Sequence, residues 1–261
     1  MLSFKDIREL QKNSKARRMQ GLFIAEGIKM FREAPADQIE AVYASGTFAS
    51  ENEALLAGSG FISVPDERFG SLCDTKTPQG ILTVLHQKKW DAEEILSRKA
   101  PFILILENLQ DPGNAGTILR TAEAAGADGI FLTRGSVDLY NPKTIRSTMG
   151  SIYRVPHCYI ESGDEPSAGA MTMDELLEML MMKGIRTFAA YLDAPASYLA
   201  GDYREGTAFL IGNESSGLTE GLANRCDRLI SIPMKGNVES LNAAMAAGIL
   251  MFEASRQRSR K

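Results

Sequence analysis

Three stretches of this chain concentrate polar and small residues in a pattern that packing alone does not require: 107–120, 212–218 and 235–242. In the first, Gly113 and Gly116 would permit a tight turn and close backbone approach at the start of a helix, a favourable place for an anion, with Arg120 on the helix that follows. The alternative is that Asn114 caps this helix and Arg120 is one of its exposed residues. In the second, the glycines would let backbone groups approach a flat ligand, while Glu214 would hold a cation or a neighbouring amide. Otherwise Glu214 merely occupies a first helical turn, where negative charge is favoured. The third carries Lys235, Gly236, Asn237, Glu239, Ser240 and Asn242 between an apolar strand and a helix apolar enough to be buried. Polar groups held there usually serve a ligand. The first stretch is not a Walker A loop, and no dinucleotide fingerprint is present. With two histidines and three scattered cysteines, a metal centre, a disulfide framework or a histidine triad is not indicated.

The elements that must hold these stretches alternate between strand and helix almost throughout. Helices are predicted over 4–15 and 27–33, with strands at 22–25, 41–44, 61–64 and 81–85. The charged, weakly patterned stretch after His86 predicts a linker at 91–100, possible as a short helix, between domains at 1–90 and 101–261. The second part opens on a continuous apolar run at 102–106, as expected of a parallel strand covered on both faces. Further strands are predicted at 129–132, 186–192, 207–211 and 229–232. Helical patterns at 117–125, 144–150, 173–183, 218–225 and 241–255 separate them. This is an α/β chain with a mainly parallel sheet, in which ligands lie beyond the carboxyl ends of strands. The three polar stretches follow the strands that end at Leu106, Ile211 and Ile232.

Composition narrows the class of protein. The 261 residues are 44% hydrophobic, enough for a substantial core, and no run is long and apolar enough to span a membrane. The charged N-terminus predicts no signal peptide, so a cytoplasmic protein is expected. The net charge is −4, yet residues 5–33 carry eight basic against four acidic side chains, and Arg256, Arg258, Arg260 and Lys261 form a second basic cluster. Acidic residues gather over 161–178. Such asymmetry permits RNA binding through local patches, although solvated helix faces would look the same.

Taken together, these residues resemble the SpoU (TrmH-like) family of RNA ribose 2′-O-methyltransferases, within the SPOUT group. Its first signature appears as Asn114-Ala-Gly-Thr-Ile-Leu-Arg120-Thr-Ala-Glu-Ala-Ala-Gly126, and its second as Leu210-Ile-Gly212-Asn-Glu214-Ser-Ser-Gly217-Leu. The third is Ile230-Ser-Ile-Pro233-Met-Lys-Gly236-Asn-Val-Glu-Ser240-Leu-Asn242 with the apolar helix behind it. The segment from Ser136 to Gly150 looks like the family's as well, and Lys15-Ala-Arg17-Arg-Met-Gln-Gly21-Leu-Phe23-Ile-Ala-Glu26-Gly27 resembles its small N-terminal substrate-binding domain.

The resemblance implies a C-terminal trefoil knot that binds S-adenosyl-L-methionine in a bent conformation. The matching positions are Leu210, Ile211, Gly212, Ile232, Met234, Gly236, Ser240 and Leu241. It further implies a homodimer with the active site at the subunit interface. Arg120 would lie next to the ribose hydroxyl as general base or, because a guanidinium normally keeps its proton, as an electrostatic or phosphate anchor. Asn114 would position the ribose or Arg120, Glu214 would organise the site, and Ser240 with Asn242 would complete it; no metal is implied. Lys15, Arg17 and Arg18, with Lys143 and Arg146, would contact RNA phosphates or stabilise their own helices. The expected substrate is structured RNA, ribosomal RNA before tRNA. A knotted RNA binder without activity and a small-molecule Rossmann enzyme are the competing classes.

Overall fold

The computed structural model describes residues 2–161 and 170–259. By packing, the chain divides into unit 1, Met1–Lys88 with Asp138–Tyr153, and unit 2, Lys89–Val137 with Arg154–Lys261. Arg260, Lys261 and part of the acidic stretch over 161–178 lie outside the described residues.

Unit 1 begins with α1 (Phe4–Lys12) and α2 (Ser14–Gln20) rather than one helix, because Asn13 leaves helical geometry and its side chain accepts from the Lys15 and Ala16 amides. There follow β1 (Leu22–Glu26), α3 (Ile28–Glu33), β2 (Ile39–Ser45), α4 (Gly46–Glu51), α5 (Glu53–Leu56), β3 (Ile62–Val64), α6 (Asp66–Phe69) and β4 (Ile81–His86). The sheet order is β1-β4-β2-β3, with β4 antiparallel to both neighbours and β2 parallel to β3. Ile7 and Leu10 of α1 close one face of this sheet over Ile24, Tyr43 and Val84.

Unit 2 begins at Lys89, just ahead of the expected linker. Over 91–100 the chain forms α7 (Ala92–Leu96), capped by Asp91, and buries Ile95 and Leu96 in the core of unit 2. Of the charged residues that suggested a linker, Asp91 caps that helix and Glu93 and Glu94 form its solvent side. Next come β5 (Phe102–Leu106), α8 (Pro112–Ala125) and β6 (Gly129–Thr133), then α9 (Pro142–Thr148), which packs with unit 1. The remaining elements are β7 (His157–Ile160), α10 (Met173–Met182), β8 (Arg186–Ala190), β9 (Ala196–Ser197), β10 (Thr207–Ile211), α11 (Glu220–Ala223), β11 (Arg228–Ser231) and α12 (Ala243–Arg258). The seven strands run β7-β6-β5-β10-β8-β11-β9, every neighbouring pair parallel. The central strands β5, β6 and β10 are buried along their whole length, as their unbroken apolar sequences require.

The apolar helix α12 is only half covered. Ala244, Ala247, Leu250, Met251 and Ala254 are buried, whereas Met245 and Phe252 are 61% and 53% exposed, with half-buried Ile249 between them. These three positions, at i, i+4 and i+7, form one apolar stripe on the solvent side.

Candidate active site

Leu106 and Ile211 pair across the parallel ladder of β5 and β10, so the loops leaving these strands emerge together at one sheet edge. Their amides and side chains are bonded to one another. The Glu214 carboxylate accepts from the backbone N–H of Gln110 at 3.0 Å, from that of Asp111 at 2.9 Å and from the Asn114 side-chain amide at 3.0 Å. The Asn114 carbonyl oxygen in turn accepts from the Asn242 side-chain amide at 2.9 Å. The other end of Asn242 caps α12, its Oδ1 accepting from the Ala244 and Met245 amides. Residues from all three polar stretches thus join in one hydrogen-bonded chain.

The local sequence accounts for this placement. Asp111 caps α8 by accepting from the Asn114 amide, and Pro112 occupies the first turn, where its missing N–H costs nothing. Gly113 and Gly116 therefore lie inside the helix instead of shaping a turn before it, and Asn114 is spared from capping. Its side chain is fixed at both ends by Glu214 and Asn242. The 213–217 segment closes through paired backbone bonds between Asn213 and Gly217. Asn213 Oδ1 also accepts from the Ser215 and Ser216 amides. A Cβ at Gly212 would come within 2.0 Å of the Gly217 and Leu218 backbone, so this turn admits glycine alone. Because the segment is held as a closed loop, the helix expected over 218–225 shrinks to α11.

Electrostatics keep the chain of bonds intact. Burial alone would raise the Glu214 carboxyl, but the hydrogen bonds from Gln110, Asn114 and Asp111 outweigh it and hold the group below the ordinary carboxylate value. Its charge stabilises these loops above the unfolded glutamate value, and that stability is lost as pH falls through the folded one.

Beside the bonded chain lies a cavity of about 270 Å³ at the carboxyl ends of β8, β10 and β11. Ile211, Ile232 and Leu241 give it apolar walls, the 212–217 loop lines one side, and Met234, Glu239, Ser240, Ala243 and Ala246 line the rest. Of the sequence-predicted cofactor positions, Ile211, Gly212, Ile232, Met234, Ser240 and Leu241 line the cavity. Leu210 instead points into the core, fully buried, and Gly236 stands exposed outside the lining. Tyr191 and Leu192 also line it and went unremarked in the sequence. They follow β8, and applying the rule of strand carboxyl ends to that strand would have found them.

Arg120 lies on the exposed side of α8, and among the described residues it has no ion pair or hydrogen-bond partner. On unit 1, Lys15 and Arg18 are exposed on α2. Arg17, expected at RNA phosphates, is 2% exposed: it pairs with Asp138 at 2.7 Å and donates to the Leu10 and Gln11 carbonyls. With Ala16 it occupies the buried face of α2, so its charge is met within the fold. Lys143 is exposed on α9, and Arg146 pairs with Asp74 at 2.8 Å.

The profile of the SpoU rRNA Methylase family matches residues 101–252, more than half of the chain. The chain belongs to the SpoU rRNA methylase family. Ahead of its SpoU region, residues 3–83 match an MRM3-like substrate binding domain. Among SpoU-type relatives, the Bacillus subtilis (strain 168) protein named 23S rRNA (guanosine(2553)-2′-O)-methyltransferase RlmP is 34% identical over 187 residues, 72% of this chain and 69% of that protein. A Synechocystis protein named as an uncharacterised tRNA/rRNA methyltransferase is 31% identical over 263 residues, 97% of this chain and 90% of that one. The crystal structure of an AdoMet-bound rRNA methyltransferase from Sinorhizobium meliloti is 29% identical, with a TM-score of 0.82 over 97% of this chain and 94% of that one. The α/β fold with its parallel sheet is therefore that of a SpoU methyltransferase.

Proposed function

We propose that this SpoU family member transfers the methyl group of S-adenosyl-L-methionine to a ribose 2′-hydroxyl of ribosomal RNA. The observation that carries this reading is the bonded chain through Glu214, Asn114 and Asn242, which draws the three signature loops together beside a lined cavity. The cavity fits the cofactor: its apolar walls suit a base, the 212–217 backbone offers amides and carbonyls, and its size approaches the lower end of the roughly 300–1,000 Å³ of small-molecule sites. When bound, the cofactor supplies a methyl group already activated on a sulfonium.

The chain itself must align the hydroxyl and manage its proton. Asn114, immobilised at both ends, would position the ribose or Arg120, with Glu214 organising the loops and Ser240 and Asn242 completing the site. Arg120, exposed and without a side-chain partner among the described residues, is suited to the hydroxyl or its neighbouring phosphate. Since a guanidinium keeps its proton, electrostatic anchoring is the role its chemistry favours over that of general base. No metal is needed for this chemistry. Leu210 would act from behind the lining, by packing under β10, and Gly236 through the shape of its exposed loop.

In this reading residues 1–90 form the RNA substrate-binding domain and 101–261 the methyltransferase domain, closed by a C-terminal trefoil knot. The protein would work as a cytoplasmic homodimer. The open stripe of Met245, Ile249 and Phe252 on α12 supports dimerisation, since a second copy would cover it. Lys15, Arg18 and Lys143, exposed on unit 1, would meet RNA phosphates, with Arg146 joining them if it leaves Asp74.

The test is transfer of labelled methyl from S-adenosylmethionine to unmodified total rRNA and, separately, to tRNA. Label in rRNA that disappears with Arg120→Ala is expected. Label confined to tRNA would move the substrate class, and no label in either pool from protein that binds S-adenosylhomocysteine would overturn the activity.

A further inference from the structure

Two carboxylates cross between the loops that leave β5 and β10, and the site described above uses one of them. Glu214, on the β10 loop, takes the amides of Gln110 and Asp111 on the β5 loop. Glu107, immediately after β5, reaches in the opposite direction. Its Oε2 accepts from the Thr219 backbone N–H at 2.7 Å and its Oε1 from the Thr219 hydroxyl at 2.7 Å. Thr219 is the N-cap of α11, so the 213–218 segment is anchored by β10 at its start and by Glu107 at its end.

The placement of Glu107 is itself fixed. Its own N–H donates to the Ile211 carbonyl at 2.9 Å, continuing the β5–β10 ladder by one step, and only 8% of the residue is exposed. A buried carboxylate costs free energy unless it is fully bonded, and a four-residue helix does not require one, because the Thr219 hydroxyl already caps it by accepting from Leu222. What the carboxylate adds is a two-point hold on the far end of the segment that lines the cavity.

We infer that Glu107 is a positioning residue for the cofactor cavity. Glu107 and Glu214 form a reciprocal clamp, each loop supplying the carboxylate that fixes the other. Releasing Thr219 frees the 213–218 segment, and with it Glu214, Gln110 and the orientation of Asn114. The inference rests on reading the cavity as the S-adenosylmethionine site.

The experiment compares wild type, Glu107→Ala and Glu107→Gln by amide hydrogen exchange of the ligand-free protein, S-adenosylhomocysteine affinity and thermal unfolding. In Glu107→Ala the amides over 110–114 and 213–219 should lose protection while β5 and β10 keep theirs, and affinity should fall about tenfold or more. Glu107→Gln should recover both, because its carbonyl can accept from the Thr219 N–H and its amide can donate to the hydroxyl. Should the alanine variant fail to fold, Thr219→Val, which removes the hydroxyl's bonds to Glu107 and to the Leu222 amide and keeps the N–H bond to Glu107, should give the same pattern in smaller measure. Wild-type exchange and affinity in Glu107→Ala would overturn the inference. So would a lowered Tm with loops and affinity unchanged, since that is plain stability. If wild type does not bind S-adenosylhomocysteine, the cofactor reading falls, and the exchange pattern still decides the clamp.

Discussion

Arg120 carries a full charge on the exposed side of α8 without a partner among the described residues, so nothing in the fold depends on it. Arg120→Ala should therefore unfold within about 0.5 kcal/mol of wild type while methyl transfer falls a hundredfold or more. Arg120→Lys divides the two roles: an electrostatic anchor should keep part of the activity through a lysine charge, whereas a guanidinium-specific contact should not. Denaturant unfolding beside labelled-methyl transfer measures both. His157 shows the converse case, a residue legible in the sequence as one of two histidines but silent about its setting. It is buried, which pushes its imidazole down to about 4, against a smaller upward pull from the Val155 carbonyl it bonds. The unfolded chain takes up the proton first, near pH 6.5, so stability should decline as pH falls from about 6.5 to 4, by about 3 kcal/mol in all. His157→Asn, which keeps a donor for Val155, should flatten that part of the pH–stability curve; an unchanged slope would place the titration elsewhere.

Elements carry the loops into register, and here the sequence was informative in some places and mute in others. The bounds of β5 and β10 read directly from their unbroken apolar runs, because strands covered on both faces admit nothing else. β7 was missed: its His157 and Cys158 and its short length give neither alternation nor a run. β9, two residues long, gave no signal at all. For the site, the three loops were visible as polar islands in apolar surroundings. The bonds between them were not, since they depend on β10 lying beside β5 about a hundred residues away, and strand order is not written in local pattern. The inward turn of Arg17 was hidden for the same reason: its partner, Asp138, is remote in sequence. At this scale the sharpest test is Gly212→Ala. The added methyl meets the Gly217–Leu218 peptide, so the β10 loop must shift, costing about 1–3 kcal/mol and abolishing S-adenosylhomocysteine binding. Calorimetric titration of the folded variant with unchanged affinity would show that the turn can give.

At the scale of the whole molecule, the exposed stripe on α12 and the basic helix α2 make separate predictions. Phe252→Glu should convert a dimer to monomer in sedimentation equilibrium without disturbing the monomer fold, since the side chain is half exposed; a wild-type monomer would leave the stripe without this role. Lys15→Ala and Arg18→Ala should each lower the salt dependence of RNA affinity by about one unit of slope and weaken all RNAs alike, while Lys15→Ala combined with Arg18→Ala should leave S-adenosylhomocysteine affinity unchanged. Unit 1 also owns a segment that the chain reaches only after entering unit 2 and building Lys89–Val137. Phe23 of β1 packs against Tyr140 with ring centres 4.8 Å apart and planes tilted by 45°, and the Tyr153 hydroxyl donates to the Met30 carbonyl. Residues 1–88 by themselves would bare Phe23 and strand the Arg17 guanidinium inside the fold, a defect of about 3–5 kcal/mol. A cut after Lys88 therefore parts Arg17 from Asp138 and Phe23 from Tyr140, so the first unit expressed alone should unfold more readily than the same residues within the whole chain.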